Sequence, residues 1–500
     1  MRPGTTPLRL APRRPGWAGR PDSARAADPP EDARGADRSE ALLLGAVIVA
    51  LALVARFLPA ARPLLVLPVG LGAYLFGRRS FHLGAAFYFL MLPFLDLLSN
   101  QVLGVPALNA RNLMLLALLA LITFRPHLPG REVQRSGAGA IFPLTIVVFA
   151  WMLLSVVTAY YCHSIPIGQS LDFWINMAAV VVPLSLGAEA ARQGERSRRF
   201  LAGTLLAAAL LVSLWALSGH LAKVAGGADP TRIRSAGMFG QPNSFGAFLA
   251  LALPGFLALA AGSFPPLARL VGAGGALVVL TCLANALSRG SIVAAVVGFA
   301  VLGLLRHRGM LVGVTILALL VGPLLLPSIV ADRFNETFLG QEGTEGLDNS
   351  AYTRIEMYKA APEVFRAAPI IGHGLGAYPS AAYRVGGQRL ARSPHSWYIE
   401  VMAEFGAIGM LLFAAWTLSI VAALWRQRSA PTTLAVTLGN AMLASTAALA
   451  VICFFQKPFV DNELILPLYF AGVGLAVGVG APERGGATAG PRPLAAISKE

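Results

Sequence analysis

Arg392-Ser393-Pro394-His395-Ser396-Trp397-Tyr398 closes the one long polar stretch of this chain, residues 327–394, and leads straight into an apolar run that continues to residue 424. Around that stretch the sequence is almost continuously hydrophobic. The chain has 500 residues, 56% of them hydrophobic and 13% charged, where a soluble domain carries roughly 25% charge. The deficit means that most side chains face lipid or other helices. Runs long enough to cross a hydrocarbon core of about 30 Å recur along the chain. They fall at 41–58, 63–76, 81–98, 111–124, 140–159, 171–188, 200–218, 244–261, 268–287, 291–305, 309–326, 396–424, 432–455 and 463–480. This pattern predicts an all-α, polytopic transmembrane bundle of about 12–14 spans with one long extracytoplasmic loop containing short helices.

The net charge of +15 raises nucleic acid as a partner, but its distribution argues for a membrane instead. The basic residues sit in short loops: Arg78 and Arg79; Arg125, Arg131 and Arg135; Arg192, Arg196, Arg198 and Arg199; Arg306 and Arg308; Arg426 and Arg428. With the N-terminus cytoplasmic, about 25 Lys and Arg lie inside against about 8 in the short outer loops, as the positive-inside rule requires. The expected organisation is a disordered cytoplasmic tail over 1–40, a bundle over 41–326, an extracytoplasmic loop over 327–394, further spans over 395–480 and a second disordered tail over 481–500. The first span reads as a retained anchor, because residues 1–40 are too long and polar for the start of a cleaved signal. Cys162, Cys282 and Cys453 show no metal or redox spacing and read as small packing residues.

Ionisable groups at the edge of a span cost roughly 2.5–3.5 kcal/mol each, so each asks for a reason. On the outer side the set is short. Arg232 and Arg234 precede Gly237-Met238-Phe239-Gly240-Gln241-Pro242-Asn243-Ser244. Arg289 sits in Leu287-Ser288-Arg289-Gly290-Ser291, a tight turn between two apolar runs. Arg354 lies within the loop and His395 closes it. Each has an ordinary reading alone: an interfacial Arg snorkels to headgroups, His395 caps the helix that follows, and Asn243 or Ser244 caps a helix entered through Pro242. Gly372-His373-Gly374-Leu375-Gly376 reads as a tight backbone turn and not as a nucleotide loop. Residues 351–368 have helical spacing, with Tyr352, Ile355, Tyr358 and Val364/Phe365 on an apolar face. That helix either lies along the membrane surface or packs on the bundle. The loop as a whole is electrically mixed, so it is not a polybasic lipid-binding arm.

Taken together, several Arg and one His on one outer face make an anion site. Guanidinium offers phosphate a permanent charge and a planar fork of donors, and His moves protons near neutral pH. Such a pocket suits a lipid-linked donor whose leaving group is a phosphate.

These residues resemble the O-antigen ligase and polymerase superfamily of polytopic glycosyltransferases. Four stretches carry the resemblance, in the family's order. They are Gly237-Met238-Phe239-Gly240-Gln241-Pro242-Asn243; Leu287-Ser288-Arg289-Gly290; Arg354 followed by Pro369 and Gly372-His373-Gly374; and Pro394-His395-Ser396 followed by Gly406-Ala407-Ile408-Gly409. The resemblance implies a multi-pass enzyme of the bacterial inner membrane. It would take a glycan from a polyisoprenyl diphosphate carrier and pass it to a glycan, lipid or protein acceptor on the extracytoplasmic side, with no metal, nucleotide sugar or other cofactor. By carry-over, His395 and Arg289 would be catalytic, and Arg234, Arg289, Arg354 and Arg232 would hold the donor diphosphate, with Arg232 competing with Arg234 for one role. Met410 stands four positions after Gly406, where some ligases carry a small residue or Tyr, which leaves ligase against polymerase open.

Other classes compete. A polysaccharide or lipid transporter or flippase explains the spans and the outer arginines, though repeated halves and broken helices would be expected of it. A peptidoglycan polymerase of the shape, elongation and division type would want an acidic base in the loop, for which Asp332, Glu336 or Glu356 could serve. A purely structural membrane protein is the remaining reading.

Overall fold

The computed structural model describes residues 81–97, 140–229, 233–306, 349–387, 392–461 and 465–478, with isolated positions 46–47, 71–72, 74–76, 114 and 309. The chain divides into units 1–49 and 50–500, and the fold described here is that of the second. The expected spans at 41–58, 63–76, 111–124 and 309–326, Arg232 and both terminal tails lie outside the described residues or almost wholly so.

The described residues form helices and no strand. In chain order these are α1 (Phe81–Met91), α2 (Ile141–His163), α3 (Ile167–Ala178), α4 (Val181–Arg192), α5 (Glu195–Ala225), α6 (Pro242–Ala261), α7 (Pro266–Ala286), α8 (Arg289–Arg306), α9 (Asn349–Ala367), α10 (Tyr378–Gly386), α11 (Trp397–Arg426), α12 (Thr433–Phe455), α13 (Pro458–Asp461) and α14 (Ile465–Val477). Among the described residues, eight spans are long and apolar enough to cross a membrane, α3 and α4 together making one of them. The chain is thus a multi-pass membrane protein. Within a bilayer a helix satisfies its own backbone groups, which is why an apolar sequence of this length takes this form.

Burial separates a centre from a rim. The spans of α6 and α12 are 67% and 61% buried, against 28–39% for the other six. These two therefore form the middle of the bundle, packed on each other and both on α8. Close approach relies on small residues, as it does where lipid supplies no hydrophobic drive between helices. A Cβ on Gly187 of α4 would overlap the Ala471 carbonyl of α14, and one on Gly474 would overlap that of Leu184. Trp397, Phe413, Trp416, Phe459 and Phe470 fill the space around the start of α13, with Trp397 stacked on Phe459 at 4.8 Å and Trp416 on Phe470 at 5.4 Å. The Trp416 indole donates to Thr145 Oγ1 at 2.8 Å, so its polar atom is satisfied in the core.

Several expected boundaries shift. The run 171–188 is two helices: α3 and α4 meet at residues 179–180, because Pro183 has no N–H to offer the Ala179 carbonyl. The run 396–424 is interrupted at Gly406, whose φ of 63° is left-handed. There the loop after α9 supplies the backbone partners that the break frees. Ala407 N–H donates to Pro369 O at 2.9 Å and Ile408 N–H to Ile370 O at 3.2 Å. His373 N–H donates to Ala403 O at 2.9 Å and Gly374 N–H to Glu404 O at 2.8 Å. Gly372 and Gly374 have φ of 76° and 98°. The Gly-x-Gly segment is therefore the tight turn expected, wedged between the break and α2.

Residues 351–368 are helical as expected, and the helix packs on the bundle. Its inner face shares only Val364 with the one expected. Met357, Ala361 and Val364 are buried against α10 and α11, whereas Ile355 and Tyr358 point outward at 39% and 36% exposure. The small alanines let α9 sit close, and that closeness decides which stripe faces in. His373 then ties this layer to α2. Its Nε2 lies 2.8 Å from the Val364 carbonyl and its Nδ1 3.0 Å from Nε2 of His163. A carbonyl only accepts, so His373 carries its hydrogen on Nε2 and receives one from His163. Cys282 and Cys453 are buried as expected, but Cys162 is exposed.

The break makes a stability prediction. Gly406→Ala would place a Cβ on the Ile370 carbonyl at a left-handed φ and should cost about 1–3 kcal/mol. Gly219→Ala, on a helix with open space around it, should be neutral or stabilising. Thermal unfolding of both variants in detergent checks this, and equal behaviour would contradict the assignment of strain.

Candidate active site

Three helices begin at one end of the bundle: α6 at Pro242, α8 at Arg289 and α11 at Trp397. α7 and α12 end there. The chain between α5 and α6 turns through Gly237 and Gly240, with φ of 57° and 66°, and delivers Pro242 to the first turn of α6. The cap residue of that helix is Gln241, not Asn243 or Ser244 as expected. Asn243 stands inside the first turn, which frees its side chain for other work.

That work is to receive Arg234. The Arg234 guanidinium donates from Nη2 to Asn243 Oδ1 at 2.9 Å and to Leu287 O at 3.4 Å, and from Nε to Ala286 O at 3.3 Å. Ser235 N–H donates to Asn285 O at 2.9 Å. Arg234 thus closes the C-terminus of α7, whose last carbonyls have no helical partners. Leu287 takes a left-handed φ of 50° to turn the chain, and half-buried Arg289 opens α8 two residues later, in the tight turn the sequence predicts. Gly290 presses on Phe455, whose Cβ lies 2.9 Å from where a glycine Cβ would be.

Gln456, at the end of α12, joins these pieces. Its Nε2 donates to Asn243 O at 3.0 Å and lies 3.5 Å from Ser291 Oγ, which itself donates to Asn243 O at 3.3 Å. Its carbonyl accepts from Trp397 N–H at 3.1 Å. Asn243 (which holds Arg234), the first turn of α8 after Arg289 and the start of α11 are therefore bound to one residue. His395 precedes that start by two positions.

His395 is exposed and has a left-handed φ of 49°. The cap residue of α11 is Ser396, so the reading of His395 as a helix cap is set aside. Its backbone N–H donates to Ser393 Oγ at 3.3 Å. The Ser393 hydroxyl donates to Glu400 Oε1 at 3.2 Å, and Lys457 Nζ lies 3.4 Å from the same oxygen. Glu400 is buried, at 4% exposure, and this pairing is what a buried carboxylate requires. Arg354 is half-buried on α9. One turn along, the Tyr358 hydroxyl donates to Phe454 O at the end of α12, so the face of α9 that holds Arg354 lies over this same end. Arg232 lies outside the described residues.

Of the expected residues, Arg234, Arg289, Arg354 and His395 all stand at one end of the bundle. Sequence reasoning missed Gln456, Glu400 and Lys457, and it read Asn243 as a cap and motif residue without its bond to Arg234. The two acidic residues at 400 and 404 in an otherwise apolar run carried a usable signal, because a carboxylate within a span is costly. Nothing local marked Gln456. Outside the spans, burial and then the charge of Glu400 push the Tyr378 phenol up to about 12, so it docks α10 as a neutral ring. Tyr378 N–H donates to Glu404 Oε1 at 3.2 Å.

Electrostatically this end favours anions. Helix N-termini present unpaired N–H groups and a partial positive charge, and here three of them stand beside two guanidiniums. One residue from each of the four sequence motifs, Asn243, Arg289, Arg354 and His395, stands at this end, whereas Gly372–Gly374 packs at the Gly406 break. Residues 274–414 match the family model described as O-antigen ligase. The matched segment takes in Arg289, Arg354 and His395 and leaves Arg234 and Gln456 outside it. The family supports glycan transfer at a membrane, with a lipid-linked glycan donor and a glycan acceptor. No curated protein matches the chain.

The clamp between Arg234 and Asn243 has a testable signature. Arg234→Ala and Asn243→Ala should be non-additive in thermal unfolding, with a coupling of roughly 0.5–3 kcal/mol. Additive effects would mean that the two side chains act independently.

Proposed function

We propose that this end of the bundle transfers a glycan from a polyisoprenyl diphosphate carrier to a hydroxyl of an extracytoplasmic acceptor. The observation that supports this most is the convergence of Arg234 and Arg289 with three helix N-termini beside an exposed His395. In the reaction the bond between the sugar and the diphosphate oxygen breaks, and the diphosphate leaves with the electron pair. The acceptor oxygen forms the new bond and gives up its proton.

Arg289 is the residue best placed to bind and stabilise the leaving diphosphate, because it stands at the N-terminus of α8. Arg234 contributes charge while fixed by Asn243 and the end of α7. Arg354 approaches from α9, and Arg232 remains a candidate for the same anion. Most of the rate enhancement is electrostatic, from donors fixed before the reaction begins. His395 accepts or orients the acceptor proton. Its exposed position fits a group that meets substrate from water, and the Ser393–Glu400–Lys457 chain holds its backbone.

The membrane side follows from charge. Arg192, Arg199, Arg306, Arg426 and Arg428 stand at the helix ends opposite the site. There Arg306 donates to Thr437 Oγ1 at 3.1 Å and Arg428 to Leu305 O at 3.4 Å. Basic loops stay cytoplasmic, so the site faces the other compartment of a bacterial inner membrane. Reporters fused after Gly387 and after Ser429 should give opposite signals; the same signal from both would overturn this orientation.

Transfer is tested in membranes with a polyprenyl diphosphate-linked oligosaccharide. His395→Asn should lose roughly 10²–10⁴-fold with unchanged accumulation and unfolding. Arg289→Ala should lose roughly 10²–10³-fold, and Arg289→Lys should recover little, since Lys lacks the bidentate fork. Activity near that of the parent in His395→Asn would remove the enzymatic role of this residue.

A further inference from the structure

A second feature lies away from the arginines. α5, α6, α12 and α14 enclose a cavity of ≈ 970 Å³, at the upper end of the range for ligand pockets, about 300–1,000 Å³. Its wall is apolar, with Leu206, Phe248, Leu251, Leu438 and Leu468 among the lining residues. The polar atoms in that wall are already engaged. Ser445 Oγ donates to Leu251 O at 2.8 Å, and the Tyr469 hydroxyl shares a hydrogen with Thr446 Oγ1 at 2.8 Å. The depth of the cavity therefore offers no hydrogen bond to a polar guest, and an apolar cavity does not hold water well. At the end nearer the candidate active site, Phe248 packs on Phe239 with ring centres 5.1 Å apart, so aromatic rings stand between the cavity and the Arg234 loop.

The other end is polar. Glu195, Arg199, Ser263, Thr432 and Thr437 line it. Thr437 carries Arg306 on its hydroxyl at 3.1 Å, and Arg269 follows the lining residue Ala268 with its Nε 3.2 Å from Ala260 O. Three guanidiniums thus stand around the mouth against the single carboxylate of Glu195, which pairs with Arg199. An apolar body with a cationic rim is complementary to an amphiphile with an anionic head, and basic pockets between membrane helices recognise lipid phosphates in this way.

We propose that this cavity binds one anionic glycerophospholipid, with its acyl chains between α5, α6, α12 and α14 and its phosphate at the Arg199–Arg306 rim. The occupant comes from the leaflet at the basic end, so the site is separate from the one that would hold the glycan donor and does not depend on the glycan-transfer reading. Gly203 gives a direct way to fill it: the residue lines the cavity, and no heavy atom lies within 4 Å of where its Cβ would stand.

The experiment is native mass spectrometry on the full-length protein. The protein is stripped of lipid in detergent and then offered phosphatidylglycerol, phosphatidylethanolamine or a polyprenyl phosphate. The parent should retain one phosphatidylglycerol in preference to the other two. Gly203→Leu should lower that retention at least tenfold while its lipid-free unfolding temperature is unchanged or raised, because Leu favours helix over Gly. Ala268→Phe, at the mouth, should do the same and decides the matter if Gly203→Leu fails to fold. Arg199→Gln combined with Arg306→Gln should abolish the preference for phosphatidylglycerol over phosphatidylethanolamine. Undiminished retention in both filling variants, equal retention of the two phospholipids by the parent, or preferential retention of the polyprenyl phosphate would each overturn the proposal.

Discussion

The fold at the candidate active site depends on one constraint. Helices that end near the edge of a bilayer leave N–H and C=O groups with few waters to satisfy them. At this end of the bundle α6, α8 and α11 begin while α7 and α12 finish. Their free groups, and the polar side chains beside them, are bound to one another. Gln456 links Asn243, Ser291 and Trp397, and Arg234 takes the last carbonyls of α7. The same bonds that make these helix ends tolerable fix the Arg234 guanidinium, the turn that carries Arg289 and three positive helix ends in one place. The proposed anion site is thus a consequence of how the helices terminate.

Strain is concentrated at the same place. Three described residues other than glycine have a left-handed φ, and two of them, Leu287 and His395, flank the proposed chemistry. Such a conformation costs of order 1–3 kcal/mol and persists where surrounding structure dictates it. Leu287 is held by Arg234 on its carbonyl. His395 is held by Ser393 on one side and by Ser396, whose hydroxyl donates to Cys453 O at 3.3 Å, on the other. Rigid loops of this kind suit a reaction in which charge is stabilised by groups that do not move.

The segment between α9 and α10 does a related job for the membrane. A broken helix at bilayer depth requires other backbone to take up the freed groups. Residues 369–374 do so at Gly406, and the His163–His373 pair fastens that segment to α2. The helix that carries Arg354 is thereby docked on the bundle instead of floating on the lipid surface.

Local sequence sufficed for the fold class, for the approximate course of ten described apolar runs, eight of them long enough to cross a membrane, and for picking out Arg234, Arg289, Arg354 and His395 as a set. It could do so because hydropathy, loop charge and the cost of an ionisable group near lipid are local properties, readable one segment at a time. The segment matched to O-antigen ligase, 274–414, takes in three of the four motifs that carried the resemblance and leaves out Gly237–Asn243. The tertiary structure alone decided the rest. It moved the cap of α6 to Gln241, split 171–188 at the residues before Pro183, turned α9 so that Met357 and Ala361 face inward with Val364, and buried Glu400 beside Lys457. Gln456 shows the reason most plainly: it lies 213 residues from Asn243, and a hydrogen bond over that separation exists only once the helices between them have packed.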